Sequence, residues 1–199
     1  MGKKYPPIYY ADYLQLDKFL DAQHRKSEEY GQPAHDEMLF IIVHQAYELW
    51  FKQILFELDS VIDMFDDERV NEKNIGKAVS RLGRIVEIQK LMIDQLGVLE
   101  TMSPGSFLEF RDFLIPASGF QSMQFRIIEN KLGLKSESRV TYNNKQYYSV
   151  VNEAHQKILI ESEKSDSLLD YIDRWLSRTP FLDVEGFNFL EEYKKAIEV

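Results

Sequence analysis

The chain has 199 residues, 44% of them hydrophobic and 13% aromatic, enough to bury a sizeable core without covalent staples. It contains no cysteine, which excludes a disulfide framework and any thiolate metal site. A formal net charge of -9, with lysines scattered among the acids, leaves no basic stripe for phosphate, so a nucleic-acid partner is not expected.

The first residues, Met1 to Pro7, carry two lysines with no apolar run behind them. Neither a signal peptide nor a membrane span is expected, and the cytosol is the expected compartment. Tyr9, Tyr10 and Tyr13 then cluster ahead of Leu14. Such a group either covers a core edge or makes a subunit contact, and composition does not choose between the two. From 38 to 65, Leu39, Ile42, Val43, Ala46, Leu49, Trp50, Ile54, Leu58, Val61 and Phe65 recur at helical spacing and predict a helix of about eight turns. Pro33 precedes its start, and Asp36 and Glu37 suit the first turn, where the helix dipole favours negative charge. A second long helix is predicted over 72–96, with Ile75, Val79, Leu82, Val86, Leu91 and Met92 facing inward. The short charged loop between the two makes them antiparallel neighbours.

After Ser103-Pro104 a shorter helix carries Phe107, Phe110, Arg111 and Leu114, and Pro116-Ala117-Ser118-Gly119 breaks it. Another helix is predicted over 120–132 and stopped by Gly133. The polar stretch 135–148, with Asn143-Asn144, reads as a loop or small hairpin. Helices near 150–162 and 166–176 follow, then Thr179-Pro180 and a last amphipathic segment to Val199. No alternation is long enough for a sheet. The expected architecture is one all-α domain over 1–199.

Three features carry candidate chemistry. His44 shares a helical face with Phe40 and Glu48, each four residues away. A histidine in such a setting is more often a hydrogen-bonded core residue than a catalyst or ligand, so on this feature alone the structural reading leads. Arg111 lies among phenylalanines, where a guanidinium needs an anion; a ligand carboxylate or an internal pair with Glu109, Asp112 or Glu129 would serve equally. Ser118-Gly119 marks a tight turn that lets backbone and hydroxyl approach a ligand. His24 and His35 sit beside polar and turn residues and read as surface groups. No glutamate precedes a histidine at the spacing of a di-iron bundle, His-Glu-x-x-His is absent, and neither glycine-rich phosphate fingerprint appears. Neither a di-iron bundle nor a zinc hydrolase is therefore supported.

Taken in order, Tyr10-Ala-Asp-Tyr13-Leu14, His35-Asp36-Glu37-Met38-Leu39-Phe40-Ile41-Ile42-Val43-His44-Gln45, Glu48-Leu49-Trp50, Phe110-Arg111-Asp112 and Pro116-Ala117-Ser118-Gly119-Phe120-Gln121-Ser122 strongly resemble the tryptophan 2,3-dioxygenase family. Arg174-Trp175-Leu176 and Gly186-Phe187-Asn188-Phe189 extend the resemblance to nearly the whole chain. It implies a helical bundle of the tryptophan/indoleamine dioxygenase type, with haem b as cofactor and L-tryptophan and O₂ as substrates. The implied reaction inserts both oxygen atoms at the indole C2–C3 bond and yields N-formylkynurenine, the first step of tryptophan catabolism by the kynurenine pathway.

By the same resemblance His44 is the distal-pocket histidine near the indole N–H and not an iron ligand, and Ser118 is its hydrogen-bond partner. Arg111 binds the substrate carboxylate, and Phe40 and Phe107 wall the indole. Family members vary between tyrosine and phenylalanine at the Phe107 position, so this chain lacks a hydroxyl that others have. Tyr10, Tyr13 and Leu14, within a segment 1–22 that contacts a neighbouring subunit, enter that subunit's site, which implies a homotetramer. The family's proximal histidine is expected beyond Val199, so the chain alone is expected not to form a stable histidine-ligated haem complex. The alternative is a scaffold of the same fold that neither binds haem nor turns over tryptophan.

Overall fold

The computed structural model describes residues 5–66, 70–135, 138–139, 146–177 and 188. Among them every regular element is helical and none is a strand, the all-α fold that the periodicity predicts. Three short helices, α1 (Tyr10–Leu14), α2 (Leu16–Phe19) and α3 (Lys26–Glu29), precede the long α4 (Glu37–Phe65) and α5 (Glu72–Leu99). Then come α6 (Pro104–Arg111), α7 (Met123–Leu132), α8 (Glu153–Lys164) and α9 (Leu168–Ser177). Among the described residues no helix is long and apolar enough to cross a membrane.

The helix ends follow local chemistry. The Ser103 hydroxyl accepts from Ser106 N at 3.0 Å and Pro104 opens α6, where its missing N–H is no loss. Ser122 Oγ accepts from Phe125 N at 3.2 Å. That cap restarts the chain, so the helix predicted over 120–132 is in fact a 3₁₀ turn, Gly119–Gln121, followed by α7. Gly133 stops α7 in the left-handed region at φ +95, and an added Cβ there would meet Ser167 Oγ at 2.9 Å. Asn152 caps α8 by accepting from His155 N at 2.9 Å. The Asn143-Asn144 stretch and the last amphipathic segment lie outside the described residues.

The chain divides into two compact units. The first comprises residues 1–47 and 91–118, the second 48–90 and 119–199. In the first, Ala34, Val43, Met92 and Phe110 form the apolar core, with Ser27 and Glu37 buried beside them. Tyr47 donates its hydroxyl to the Met92 carbonyl, and burial pushes this phenol up from its ordinary pKa.

In the second unit Ile54, Leu58, Val61 and Phe65 of α4 are buried, as are Ala78, Ile85 and Ile88 of α5, Ile128, Leu159 and Leu168. Glu57, only 2% exposed, accepts from Gln53 Nε2 at 2.8 Å and from Arg84, with Arg81 Nε at 3.8 Å. Pairs 57 with 84 and 60 with 81 run in opposite chain directions, so these stretches of α4 and α5 are antiparallel, as expected. The same pairs decide which face of α5 turns in. Val79 and Val86, predicted to face inward, are 65% and 47% exposed, because bringing Arg81 and Arg84 to Glu57 turns Ala78, Ile85 and Ile88 inward. Leu91 is exposed as well, whereas Met92 is buried as expected. On α4 the predicted face is too broad: Ile42 and Leu49 remain exposed. A second buried polar group joins α7 to the segment before α8. There Glu129 pairs with Arg126 at 2.8 Å and Arg139 at 3.2 Å, and the Arg139 guanidinium lies 4.0 Å from the Tyr147 ring centroid.

Candidate functional site

The candidate site belongs to the first unit and grows from two helices. On α4 the four-residue spacing of Phe40 and His44 stacks their rings on one face, with centroids 4.0 Å apart. On α6 the three-residue spacing of Phe107 and Phe110 does the same, edge to face at 5.4 Å and 89°. Phe40 lies 5.7 Å from Phe107 and 5.5 Å from Phe110, so four rings from two helices form one cluster. Phe110 is fully buried and anchors it; Phe40 and Phe107 are half-buried and His44 is exposed. The cluster therefore presents an aromatic face outward from a buried foundation.

His44 Nδ1 lies 2.7 Å from the Phe40 carbonyl oxygen. A carbonyl only accepts, so Nδ1 carries the proton, and in the neutral ring Nε2 is left as an acceptor. Arg111 closes α6 one residue after Phe110. It is exposed and makes no ion pair with Glu109, Asp112 or any other described residue. Its guanidinium is thus available to an anion, while Glu129, considered as a partner from sequence, is taken by Arg126 and Arg139. Ser118 is exposed beyond the 3₁₀ turn Asp112–Leu114 and the cis Ile115–Pro116 bond.

The remaining sequence candidates fall elsewhere. Tyr10, Tyr13 and Leu14 lie on α1, with the two tyrosines more than 70% exposed, and they make no ring contact or side-chain hydrogen bond among the described residues. His24 and His35 are exposed, as expected. His155 lies on α8 of the second unit beside Asn152, with Glu153, Lys157 and Glu161 exposed around it. Among the described residues no group of three or more histidine or acidic side chains is placed to hold a metal ion.

Sequence reasoning missed what holds this cluster in place. Glu37, one turn before Phe40 on the same face, is 1% exposed; its carboxylate accepts from Lys26 N at 2.8 Å, Ser27 N at 2.9 Å and the Ser27 hydroxyl. Tyr30, at the end of α3, stacks on Phe113 at 5.3 Å and 25°. The signal was present: Glu37 shares a helical face with Phe40 and His44, and a carboxylate there must find donors.

The family profile described as tryptophan 2,3-dioxygenase matches residues 4–199 of this chain. A protein named tryptophan 2,3-dioxygenase from Bdellovibrio bacteriovorus is 57% identical over 194 residues, covering 98% of this chain and 54% of that protein. One of the same name from Alteromonas mediterranea is 52% identical over 198 residues, covering 100% and 55%. A third, from Dictyostelium discoideum, is 50% identical over 191 residues, covering 96% and 48%. The chain thus spans about half the length of the curated relatives it matches. With the whole chain but its first three residues matched, it belongs to the tryptophan 2,3-dioxygenase family.

Proposed function

We propose that this chain forms the substrate-binding, distal half of a haem-dependent dioxygenase that converts L-tryptophan and O₂ to N-formylkynurenine. The observation that carries the reading is an exposed guanidinium, Arg111, without an ion-pair partner among the described residues, on the same short helix as two rings of an aromatic cluster that ends in an imidazole. Tryptophan has the complementary parts. Its carboxylate takes Arg111 in a bidentate pair, its indole lies against Phe40 and Phe107, and its indole N–H donates to His44 Nε2. The family resemblance adds the Ser118 hydroxyl as a hydrogen-bond partner of the imidazole. Tyr10, Tyr13 and Leu14, exposed on α1, reach the site of a neighbouring subunit in a homotetramer.

The donor set suits the open side of a haem: phenyl rings and an imidazole whose Nδ1 is already engaged by a carbonyl. Phe40, Phe107 and His44 would line the haem pocket, with none of them proposed as an iron ligand. Haem b, when bound, supplies the activation of O₂. The residues of this chain orient the substrate: three fixed contacts on a planar indole align its C2–C3 bond and exclude water from it.

Replacing Arg111 tests the proposal. In a haem-loaded protein of the relatives' full length that carries this chain, Arg111→Ala should weaken L-tryptophan by about 2–5 kcal/mol, the loss expected of a charge-assisted bidentate pair, and leave tryptamine, which lacks the carboxylate, nearly unchanged. Titrations followed by the haem absorption band measure both. Equal losses for the two ligands would make Arg111 structural and remove the basis of the assignment.

A further inference from the structure

We propose that Glu37 is a positioning residue: through a strap formed by residues 22–34 it sets the placement of the Phe40–His44 face of α4 against Phe107, Phe110 and Arg111 of α6. The strap is tied to α4 at its start and closed on itself at its end. At its start Gln23 Nε2 donates to Gln45 Oε1 at 2.6 Å, and Gln45 Nε2 donates to the Ala22 carbonyl at 2.9 Å. Gln45 is the residue after His44. At its end the buried Ser27 hydroxyl accepts from Ala34 N at 2.9 Å, and Arg25 Nη1 reaches the Ala34 carbonyl at 3.4 Å.

Glu37 holds the middle. Its buried carboxylate takes three donors from Lys26 and Ser27, so both oxygens are engaged and both backbone groups are satisfied away from water. The turn this creates projects Tyr30 onto Phe113, and α3 packs against both α6 and the 3₁₀ turn that follows it. The strap is therefore bound to α4 by hydrogen bonds and to the Phe107–Phe113 segment by ring stacking. Releasing the carboxylate frees α6 to shift against α4, which displaces Arg111 from His44 without removing either.

The ligand arm of the test rests on the tryptophan reading above; the geometric arm does not. Glu37→Gln keeps the side-chain size but replaces one acceptor oxygen with a donor, and Ser27→Ala removes the hydroxyl that bridges Glu37 and Ala34. Fluorine NMR of protein labelled with fluorophenylalanine, assigned by single substitutions, should show the Phe40 and Phe107 resonances shifted in both variants. Those of Phe51 and Phe65 in the second unit should stay in place. In the haem-loaded protein of the relatives' full length that carries this chain, the affinity for L-tryptophan should fall by on the order of tenfold to a hundredfold more than that for tryptamine, the scale of a misplaced contact. A merely structural role lowers both ligands alike through the folded fraction and leaves their ratio unchanged. Unshifted Phe40 and Phe107 resonances, or an unchanged ratio in a protein that binds tryptophan, overturns the proposal. Wild-type protein that fails to bind tryptophan defeats the functional reading instead, and the strap is then decided by the fluorine resonances.

Discussion

Phe110→Ala is the sharpest probe of the aromatic cluster. The ring has no solvent exposure, touches Phe40 and Phe107, and sits on a helix only eight residues long. Deleting it removes a large apolar group and leaves a cavity that two half-buried neighbours can only partly fill, so the expected loss is about 3–5 kcal/mol. Against a typical total of about 5–15 kcal/mol this is a large share, and the truncated protein should be marginal. Phe107, on the same helix but half-buried, should lose only about 1–2 kcal/mol on the same change. Arg111→Ala, on an exposed side chain without an ion pair, should stay within about 0.5 kcal/mol. Urea denaturation followed by helical circular dichroism ranks the three, provided the m-values agree. If Phe107→Ala destabilises as much as Phe110→Ala, or if Phe110→Ala loses less than about 1.5 kcal/mol, the cluster is not founded on Phe110.

Two further tests address the second unit. The Glu57 group should be asymmetric: Glu57→Ala frees Arg84, already 54% exposed, to reach water, whereas the double change of Arg81 and Arg84 to Ala strands a carboxylate that is 3% exposed. The double variant should lose about 3–5 kcal/mol, more than Glu57→Ala, and the reverse order in urea denaturation would mean that the carboxylate is not desolvated. The Ser167 hydroxyl, then the Ser167 N–H, hold the Asp170 carboxyl below its ordinary pKa. A lowered native pKa stabilises the fold above the unfolded value and is lost as pH falls through the native one, so Ser167→Ala should move the acid-unfolding midpoint to higher pH. Superimposable acid limbs for the two proteins would show that the pair contributes nothing.

Some of this was legible in the residues taken one segment at a time. The start of α4 at Glu37, one residue from its expected place, the cap at Ser103-Pro104 and the stop at Gly133 depend on local propensity and hydrogen-bonding chemistry, which a sequence carries in plain view. So do the face shared by Phe40 and His44 and the family resemblance, both of which pointed to this site. The helices α1 to α3 were not legible, because segments of four or five residues are too short to leave a helical repeat in the sequence or to be stable by propensity alone. The buried side of α5 was not legible either, since apolar residues occur on more than one of its faces and the reach of Arg81 and Arg84 to Glu57 chose among them. Helical spacing thus determined which residues of one helix stand together, His44 beside Phe40 and Arg111 after Phe110. Only the tertiary structure decided that Phe40 meets Phe107 and Phe110, and that a buried carboxylate at Glu37 ties down the strap beside them. Those contacts join residues tens of positions apart, and no periodicity within a helix encodes a distance between helices.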